Sequence, residues 1–343
     1  MMNTFENKVI LVTGGVGSIG SEIVRQLLQD KPKQVRVFDN RETEEFHMQN
    51  ELAHHPSVRF LIGDVRDKGR LRLAMENVDI VFHAAALKHV PACEYNPFEA
   101  VKTNVHGTQN LIDCALEQDV EKVINISTDK VTNPINTMGA TKLLAERLVS
   151  AAQYYRGSKR TIFCSVRFGN VLKSRGSVIE LFEEQIRKGG KITLTDRNMT
   201  RFFMSVRQAV GLVFEAAQRA QGGEIFIFKM PVIRLEDLAG VVVEELAPKH
   251  GKKPAQIKTE VIGLRPGERL YEDLMTEEEA ETALETDELF IVLPSIVLAP
   301  QAKGASGSYP QAKKAGARRY SSRTGKPLAK EEIRVLLKRE QLL

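Results

Sequence analysis

Short apolar segments alternate with longer amphipathic segments through the first half of the chain. The apolar segments are rich in Val, Ile and Phe, which is typical of strands buried on both faces. The segments between them carry apolar residues three and four positions apart, as at Ile23 and Leu27, which is the period of a helix. The predicted strands are Val9–Val12, Val35–Phe38, Val58–Ile62, Val78–Phe82, Val123–Ile126 and Ile162–Val166. The predicted helices are Ser18–Gln29, Glu42–Ala53, Lys68–Met75, Phe98–Glu117 and Met138–Tyr155. This alternation predicts an α/β fold with a doubly wound parallel sheet and right-handed crossovers.

The regular alternation weakens after about residue 170. We therefore expect residues 1–170 to form a dinucleotide-binding domain, to which some later segments return. Residues 171–300 are expected to form a smaller, partly interleaved substrate region. Residues 301–343 are basic and begin with a stretch rich in Gly, Ser, Ala and Lys, which favours a flexible C-terminal arm. The last residues, KEEIRVLLKREQLL, have helical periodicity and are a candidate for docking.

Composition and charge narrow the class of protein. The 343 residues are 42% hydrophobic and 27% charged, which is ordinary for a globular chain and excludes a collagen-like or disordered one. The formal net charge of +5 comes from the arm, because residues 301–343 contain 11 Lys or Arg and 3 Glu. The rest of the chain is slightly acidic and has no basic stripe interleaved with aromatic residues. Nucleic acid is therefore not an expected partner.

Cysteine use and hydropathy indicate the cellular setting. Cys93, Cys114 and Cys164 are widely spaced and form no CxxC pair, so neither a disulfide framework nor a metal site is expected. No apolar stretch is long enough for a transmembrane helix. The N-terminal residues lack a basic region and a small-residue cleavage site, so no signal peptide is expected. The cytoplasm is the expected compartment.

A glycine-rich loop follows the first predicted strand and opens the first predicted helix. In VILVTGGVGSIGSEI, Gly14, Gly17 and Gly20 would let the backbone approach a pyrophosphate, and the helix N-terminus would supply amides and partial positive charge. Asp39 ends the second predicted strand, 19 residues after Gly20, where a carboxylate binds ribose hydroxyls and repels a 2′-phosphate. NAD is therefore the favoured cofactor, although a cation at Arg41 keeps NADP open.

Other residues near the predicted strand ends complete a candidate cofactor site. Asp64 follows the third strand and is either an adenine contact or a turn or helix-capping Asp. Small residues after the fourth strand would allow a cofactor to pass close by. The full candidate cofactor set is Gly14, Gly17, Ser18, Ile19, Gly20, Asp39, Asn40, Arg41, Asp64, Val65, Ala84, Ala85, Asn104 and Lys142.

A polar triplet follows the fifth predicted strand. Thr128, Asp129 and Lys130 lie at the carboxyl edge of the sheet, where ligands bind in this type of fold. Met138 and Lys142 come shortly after and are four residues apart, so they share one face of the next helix. Polar groups beside a nucleotide indicate proton transfer. The alternative is that Asp129 and Lys130 form a solvated ion pair that closes the loop.

Several longer motifs carry a resemblance to a known family. TGGVGSIG, HAAALKHVPACEYNP, KTNVHGTQNL, STDKVTNPINTMGATK, VRFGNVLKSRGSV, MTRFFM and GLRPGERLYEDLMT are similar to those of the nucleotide-sugar 4,6-dehydratases of polysaccharide biosynthesis, which act on UDP-N-acetylglucosamine. These enzymes belong to the extended short-chain dehydrogenase/reductase superfamily, so the resemblance implies a Rossmann fold. It covers about residues 5–295 and leaves the basic arm uncovered.

One position departs from the superfamily pattern. The usual catalytic tyrosine, four residues before the lysine, is replaced by Met138. A thioether cannot carry a proton usefully, which excludes a tyrosinate mechanism at this position. A subset of the capsule and O-antigen dehydratases resembles this chain in carrying Met there, so we do not interpret it as the mark of an inactive enzyme.

The resemblance implies a three-step reaction with an internally recycled, tightly bound NAD. A hydride leaves sugar carbon 4, water is eliminated across carbons 5 and 6, and the hydride returns to carbon 6. Asp129 is implied as the acid and Lys130 as the base, with Thr128 on the carbon-4 oxygen and Lys142 on the nicotinamide ribose. To act as a base, Lys130 should have a pKa below its ordinary value, and we expect Lys142 and Lys88 to lower it. Asp129 should either have a raised pKa or deliver its proton through the substrate, and closure with desolvation must reverse the preference of adjacent opposite charges for the ionised pair.

The same motifs imply the residues that bind the substrate. Asn170, Arg201, Arg265 and Glu268 are expected to hold the UDP part, since an arginine fork suits a diphosphate. Lys88 is a candidate contact for sugar or cofactor, the alternative being a surface lysine. His83, His89 and His106 are expected to be packing or loop residues. The relatives commonly assemble, so a homo-oligomer is expected, and the basic arm is a candidate contact in it.

Two other functions remain open. A nucleotide-sugar 4-epimerase would share the hydride step but would need no acid–base pair at Asp129 and Lys130. A non-catalytic nucleotide-binding regulator is supported only by Met138. The sequence does not fix the configuration at carbon 5 of the product.

Overall fold

The computed structural model describes residues 4–172, 176–294, 309–316 and 318–343. The strands are β1 Val9–Thr13, β2 Gln34–Asp39, β3 Val58–Ile62, β4 Ile80–His83, β5 Lys122–Ile126, β6 Ile162–Arg167, β7 Asn170–Leu172, β8 Lys191–Leu194, β9 Thr200–Ser205, β10 Ile225–Phe228, β11 Val232–Arg234, β12 Lys258–Val261, β13 Asp273–Met275, β14 Ala283–Glu285, β15 Leu289–Val292, β16 Lys313–Lys314 and β17 Tyr320–Ser321.

The helices lie between these strands. They are α1 Ser18–Leu27, α2 Glu42–Glu51, α3 Lys68–Ala74, α4 Val90–Tyr95, α5 Pro97–Ala100, α6 Gly107–Glu117, α7 Thr137–Tyr155, α8 Val178–Lys188, α9 Val206–Arg219, α10 Leu235–Lys249, α11 Glu277–Thr282 and α12 Lys330–Arg339. Short 3₁₀ turns cover Leu28–Asp30, Asp129–Val131 and Pro254–Gln256, and one π turn covers Val101–His106. The predicted helix Phe98–Glu117 is thus divided into α5, the π turn and α6.

A large central sheet confirms the predicted doubly wound fold. Its strand order is β16-β14-β15-β10-β6-β5-β4-β1-β2-β3, and the seven strands from β10 to β3 are parallel to their neighbours. Every residue of β1 and β4 is buried, as expected for strands that are covered by helices on both faces. Because the strands are parallel, the carboxyl ends of β1, β4 and β5 meet at one edge of the sheet. The glycine loop and the Thr128–Lys130 triplet therefore lie on the same edge.

The later part of the chain builds a second, smaller core. Strands β11, β9 and β7 form one small sheet, and β12 pairs with β8. Helices α8 and α10 supply much of this core, through buried residues such as Phe182, Ile186, Leu238 and Val242. Strands β10, β14 and β15 from the same part of the chain join the main sheet. The domain limits given above stay a prediction.

The C-terminal residues 318–343 differ from the flexible arm that their composition favoured. Helix α12 buries Ile333 and Leu337 completely in the second core, and Arg334 forms ion pairs with Glu244 and Glu245 of α10. Strand β17 pairs with β13, and β16 pairs with β14. The apolar stripe of α12 and the strand pairing outweigh the high charge of this segment. Residues 301–308 of the predicted arm lie outside the described residues.

Three further observations concern the thiols, metal sites and membrane spans that sequence analysis considered. Cys93, Cys114 and Cys164 are buried free thiols. In the described ranges, no cluster of three or more His, Cys, Asp or Glu is arranged to hold a metal ion. The helices within those ranges are too short or too polar to span a lipid bilayer.

Candidate active site

The glycine loop after β1 is closed so tightly that side chains would not fit. Gly14 has a φ of +66°, and a Cβ there would lie 2.6 Å from the amide nitrogen of Ala85. A Cβ on Gly20 would lie 2.2 Å from the carbonyl oxygen of Gly14. Gly17 precedes the first turn of α1 and offers no side chain to cap its amides. The loop therefore fits a pyrophosphate, because bare backbone and a helix N-terminus are what such an anion needs.

The rest of the predicted phosphate-binding loop agrees with this interpretation. Ser18 and Ile19 form the first turn of α1, and the partly buried Ile19 packs against the main core. Ala84 and Ala85 follow β4, and their backbone atoms lie against Gly14. The loop after β4 and the glycine loop are therefore in direct contact. The residues present thus fit a dinucleotide.

A carboxylate and a guanidinium meet where the adenosine ribose would bind. Asp39, the last residue of β2, is 5% exposed and accepts a hydrogen bond from the amide of Val16 at 3.2 Å. The Arg41 side chain donates to both carboxylate oxygens of Asp39, at 3.1 and 3.2 Å. The hydrogen bond to Asp39 raises the pKa of Arg41 despite the opposing effect of burial. Both residues of the NAD or NADP alternative are therefore in place, and they are bound to each other.

Asp64 acts as a turn residue and not as a helix cap. Its carboxylate accepts from the amide of Arg66 at 2.9 Å, from the Arg66 guanidinium at 2.6 Å and from Asn40 at 3.2 Å. Burial alone would raise the pKa of Asp64, but the bonds from Arg66 and Asn40 outweigh it, and the pKa lies below its ordinary value. The cap of α3 is Asp67, which accepts from the amide of Arg70.

Val65 and Asn104 support the loops around the cofactor site. Val65 is buried and occupies the space that a side chain at Gly107 would need. Asn104 is 1% exposed and holds the backbone of Leu87, accepting from its amide at 2.8 Å and donating to its carbonyl at 3.1 Å. It also donates to the Thr141 hydroxyl. The contacts of Asn104 thus fix the loop after β4.

The triplet after β5 is a compact, hydrogen-bonded group. The Thr128 hydroxyl and the Lys130 ammonium both donate to Asp129 Oδ1, at 2.8 and 2.9 Å. Asp129 is 1% exposed, and its second oxygen, Oδ2, has no hydrogen-bond partner among the described residues. A buried carboxylate oxygen without a hydrogen-bond partner lowers the stability of the fold. Such an oxygen therefore indicates a functional role. The alternative of a solvated ion pair does not fit this burial.

Lys130 differs from the expectation in its charge environment. Burial lowers its pKa, but attraction to Asp129 and Glu272 outweighs burial, so the pKa lies above its ordinary value. The Glu272 oxygen is 3.9 Å from Lys130 Nζ. The expected lowering by Lys142 and Lys88 is therefore wrong, because two carboxylates face the ammonium and the opposing cation is Arg201.

Helix α7 places Lys142 and Met138 as their spacing predicted. Lys142 is 6% exposed, and its ammonium donates to the carbonyl of Ile126, the last residue of β5, at 2.6 Å. Burial lowers the pKa of Lys142 to about 8, against an opposing attraction to Glu146. Met138 is buried in a small apolar cluster with Cys93 and Ala100. It fills space and contributes no proton-carrying group.

The predicted substrate residues come from four segments of the chain. Arg201 in β9 is buried, and its guanidinium donates to the carbonyls of Thr200 and Arg269 while Nε lies 3.8 Å from Glu272. It therefore belongs to the neighbourhood of Lys130. Asn170 opens β7, which pairs with β9. Lys88 is exposed after β4. Arg265 and Glu268 share the loop before Arg269, and the Arg265 amide donates to the Glu268 carboxylate at 3.3 Å.

Sequence reasoning missed the residues that join this loop to the triplet. The Arg269 guanidinium donates to the carbonyls of Thr132 and Asn133, and the Asn136 side chain donates to the carbonyl of Gly267 at 3.0 Å. Thr132, Asn136, Gly267 and Arg269 line a narrow cleft together with Lys130 and Glu272. Arg269 and Glu272 lie inside the motif GLRPGERLYEDLMT, so the motif marked the segment without distinguishing them.

Buried polar groups behind the cleft have structural tasks. Arg167 is 1% exposed and pairs with Glu146 at 2.5 Å and with Glu279 at 2.9 Å, which ties β6 to α7 and α11. His83 is bonded to the hydroxyls of Thr13 and Thr108. Burial, with a smaller effect of Lys142, lowers the pKa of His83 to about 3. The ring is therefore neutral and acts as a packing residue.

Comparisons with known proteins agree with this geometry. A family model described as polysaccharide biosynthesis protein matches residues 10–294. A protein of Methanocaldococcus jannaschii named as an uncharacterized membrane protein is 55% identical over 98% of this chain and 97% of its own length. A UDP-N-acetylglucosamine 4,6-dehydratase (inverting) of Campylobacter jejuni is 42% identical over 85% of this chain and 84% of its own. A UDP-glucose 4-epimerase of Rickettsia rickettsii is 41% identical over 81% of each.

Solved structures show the same architecture. The X-ray structure of Pen from Bacillus thuringiensis superimposes with a TM-score of 0.91 and 48% identity, covering 99% of both chains. A dTDP-glucose 4,6-dehydratase from Streptomyces venezuelae, solved with NAD and TYD bound, gives a TM-score of 0.67 at 26% identity over 76% of this chain and 86% of its own. The chain belongs to the polysaccharide biosynthesis protein family, within the extended short-chain dehydrogenase/reductase superfamily.

Proposed function

We propose that the protein is a UDP-N-acetylglucosamine 4,6-dehydratase that makes a UDP-2-acetamido-2,6-dideoxy-4-keto-hexose. The observation that carries the proposal is the hydrogen bond between the buried Asp129 and the partly exposed Lys130, at the same sheet edge as the glycine loop. An elimination of water needs an acid and a base side by side, and this pair supplies both. The relative from Campylobacter jejuni, whose name states this reaction, supports the choice of substrate.

The dinucleotide would be held by the loop of Gly14, Gly17 and Gly20, with Asp39 or Arg41 at the adenosine ribose. NAD or NADP supplies a hydride acceptor and, later in the cycle, a hydride donor. The Lys142 ammonium, fixed on the carbonyl of Ile126, adds positive charge close to the end of β5. This charge favours an oxygen that becomes more negative during the reaction.

The elimination requires a neutral lysine and a protonated carboxyl group. In the structure Lys130 holds its proton, and its hydrogen-bond partner Asp129 is 2.9 Å away. When substrate covers the cleft and excludes water, transfer of this proton to Asp129 leaves a neutral amine and a carboxylic acid, because desolvation favours the uncharged pair. Lys130 then takes the proton from carbon 5, and Asp129 gives its proton to the hydroxyl that leaves carbon 6. The number of protons is conserved.

Thr128 has the geometry to orient the acid. Its hydroxyl donates to Asp129 Oδ1, the oxygen that also contacts Lys130. Oδ2 has no hydrogen-bond partner within the described part of the chain, and it is the oxygen we assign to the leaving hydroxyl. Proton transfer from a positioned side chain contributes about 10²–10⁴ in rate, so loss of either group of the pair should cost that much.

A nucleotide-sugar 4-epimerase is the second candidate, and the Rickettsia relatives named as UDP-glucose 4-epimerases support it. It would use the same fold, cofactor site and Lys142. It would leave the Asp129–Lys130 pair without a task, because rotation of a keto sugar involves no elimination. The two functions therefore predict different effects of changing Asp129.

The experiment is an incubation of purified protein with UDP-N-acetylglucosamine in deuterated water without added cofactor, followed by mass spectrometry and proton NMR. We expect loss of one water with deuterium at carbon 5, and the ring couplings then give the configuration there. Asp129→Asn should lower this activity by about 10²–10⁴-fold. Asp119→Asn, which removes the same charge from a half-exposed turn where it pairs with Arg160, should keep it. An unchanged mass with inverted carbon 4 would instead support the epimerase. No change with NAD or NADP added would indicate another sugar nucleotide or a non-catalytic nucleotide-binding regulator.

A further inference from the structure

The ammonium of Lys130 lies between two carboxylates, of which the proposed reaction uses one. Asp129 Oδ1 is 2.9 Å from Nζ, and Glu272 Oε1 is 3.9 Å away on the other side. Glu272 is 6% exposed and also lies 3.8 Å from Nε of Arg201. Both Lys130 and Glu272 line the cleft beside the triplet. A buried carboxylate facing the proposed base at this distance affects how tightly the base holds its proton.

The C-terminal segment fixes the position of Glu272. Ser322 is fully buried, and its hydroxyl oxygen accepts from the amide of Glu272 at 3.0 Å while its own amide donates to the carbonyl of Glu272 at 2.9 Å. The Ser322 hydroxyl also donates to the carbonyl of Thr200 at 3.2 Å, next to Arg201. The Ser322 side chain therefore holds the backbone at Glu272 and next to Arg201, the two residues whose charges act on Lys130 together with Asp129.

Neighbouring contacts keep this part of the C-terminal segment in place. Strand β17 pairs with β13, which begins one residue after Glu272. Arg319 forms an ion pair with Asp273, and the Tyr320 hydroxyl bonds the backbone of Met230. The family model matches residues 10–294, so this support comes from residues beyond the matched region.

We propose that Glu272 is a positioning residue that holds the Lys130 ammonium and strengthens its grip on its proton, and that Ser322 maintains Glu272 in this role. The proposal rests on the function proposed for Lys130 as the base. The charged groups that face Glu272 are Lys130, Asp129, Arg201 and Arg269. Lys130 is hydrogen-bonded to the proposed acid, Asp129. Glu272 is therefore the second carboxylate that acts on the Lys130 ammonium.

A purely structural role for Glu272 predicts a different behaviour from this one. If Glu272 only balanced the charge of Arg201, its removal would change stability and leave the protonation of Lys130 unaffected. If it acts on Lys130, its removal lets the ammonium lose its proton at lower pH, because one of two attracting anions has gone. The protonation of Lys130 can be measured without any turnover.

The first test is competitive acetylation of the full-length protein with acetic anhydride over a range of pH, read at Lys130 by mass spectrometry. Only the neutral amine reacts, so the labelling midpoint follows the protonation of this residue. Glu272→Gln should move the midpoint to lower pH. Glu281→Gln removes the same charge from an exposed position nearby and should leave the midpoint at its wild-type value. A Glu272→Gln midpoint equal to the wild-type midpoint, or above it, overturns the proposal.

The second test uses Ser322, which also covers the case in which Glu272→Gln does not fold. Ser322→Ala should move the midpoint in the same direction, and Thr324→Val, an exposed hydroxyl of the same segment, should not. In the double variant Glu272→Gln with Ser322→Ala the midpoint should equal that of Glu272→Gln alone, since Ser322 acts through Glu272. An unmoved Ser322→Ala midpoint, or additive shifts, refutes the role given to Ser322.

Activity separates this proposal from the proposed function. If the wild-type protein dehydrates the sugar, Glu272→Gln should lower kcat with little change in KM. The falling limb of the pH profile, where the Asp129–Lys130 pair loses its shared proton, should move to lower pH. An unmoved limb counts against Glu272. If the wild-type protein does not dehydrate the sugar, the proposed function fails, while the acetylation midpoints still decide whether Glu272 controls Lys130.

Discussion

Replacing Lys142 by Met should remove a specific part of the pH dependence of stability. The pKa of Lys142 is lowered from 10.5 to about 8 in the folded chain, mainly by burial. Between these two values the unfolded chain binds a proton at this site and the folded chain does not, so the free energy of unfolding rises with pH. A pKa difference of about 2.5 corresponds to about 3 kcal/mol of unfolding free energy. This contribution is absent below pH 8 and fully present above about pH 10.5. Met has a similar length and no titrating group.

The assay is urea unfolding of cofactor-free wild-type and Lys142→Met protein at several pH values from 7 to 11. Other groups titrate in this range in both proteins, so the difference between the two free energies of unfolding isolates Lys142. We expect the free energy of unfolding of the wild-type protein, relative to that of the variant, to rise by about 3 kcal/mol from pH 7 to pH 11. Lys159→Met, at an exposed site, should show no such trend. A difference that stays flat, or that falls with pH, would refute the depressed pKa of Lys142.

Three further outcomes follow from single positions. Gly14→Ala should abolish dinucleotide binding in calorimetry, because the φ of +66° costs about 1–2 kcal/mol and the new Cβ would lie 2.6 Å from the Ala85 amide; binding at wild-type affinity would show that the loop opens freely. Arg41→Ala should weaken binding of NADP more than binding of NAD, because it removes the cation beside Asp39; an unchanged ratio of the two Kd values would exclude Arg41 from the choice. Met138→Leu should keep turnover close to that of the wild type, because a volume-conserving change in an apolar cluster costs less than about 1.5 kcal/mol; a loss of 10²-fold or more in a folded variant would assign Met138 a chemical role.

Local patterns were enough to predict the main sheet. The segments Val9–Val12, Val35–Phe38 and Val123–Ile126 all lie in parallel strands, because an apolar run of strand length between amphipathic helices has few other stable arrangements. The glycine spacing likewise specified a tight turn before α1. The spacing of four between Met138 and Lys142 placed both on one buried face of α7, as the helical repeat requires.

The C-terminal segment shows where local patterns fail. Its high positive charge indicated a solvated arm, yet β17 pairs with β13 and Ser322 is bonded to Glu272. The helical periodicity of the last residues, in contrast, did predict the docking helix α12. Composition reports how a segment would behave alone. It does not reveal a partner such as β13 or α10, which comes from a distant part of the chain.

The charge environment of Lys130 depended on the same kind of distant contact. The sequence by itself determined that Asp129 and Lys130 follow the end of a strand, and it left open whether they form an ion pair. As further charges acting on Lys130, the sequence suggested Lys88 and Lys142. The structure instead places Glu272 there, 142 residues away along the chain. The proton affinity of a buried group depends on the charges within a few ångströms. Only the tertiary structure, which packs the residues around β13 against the turn after β5, decides which charges these are.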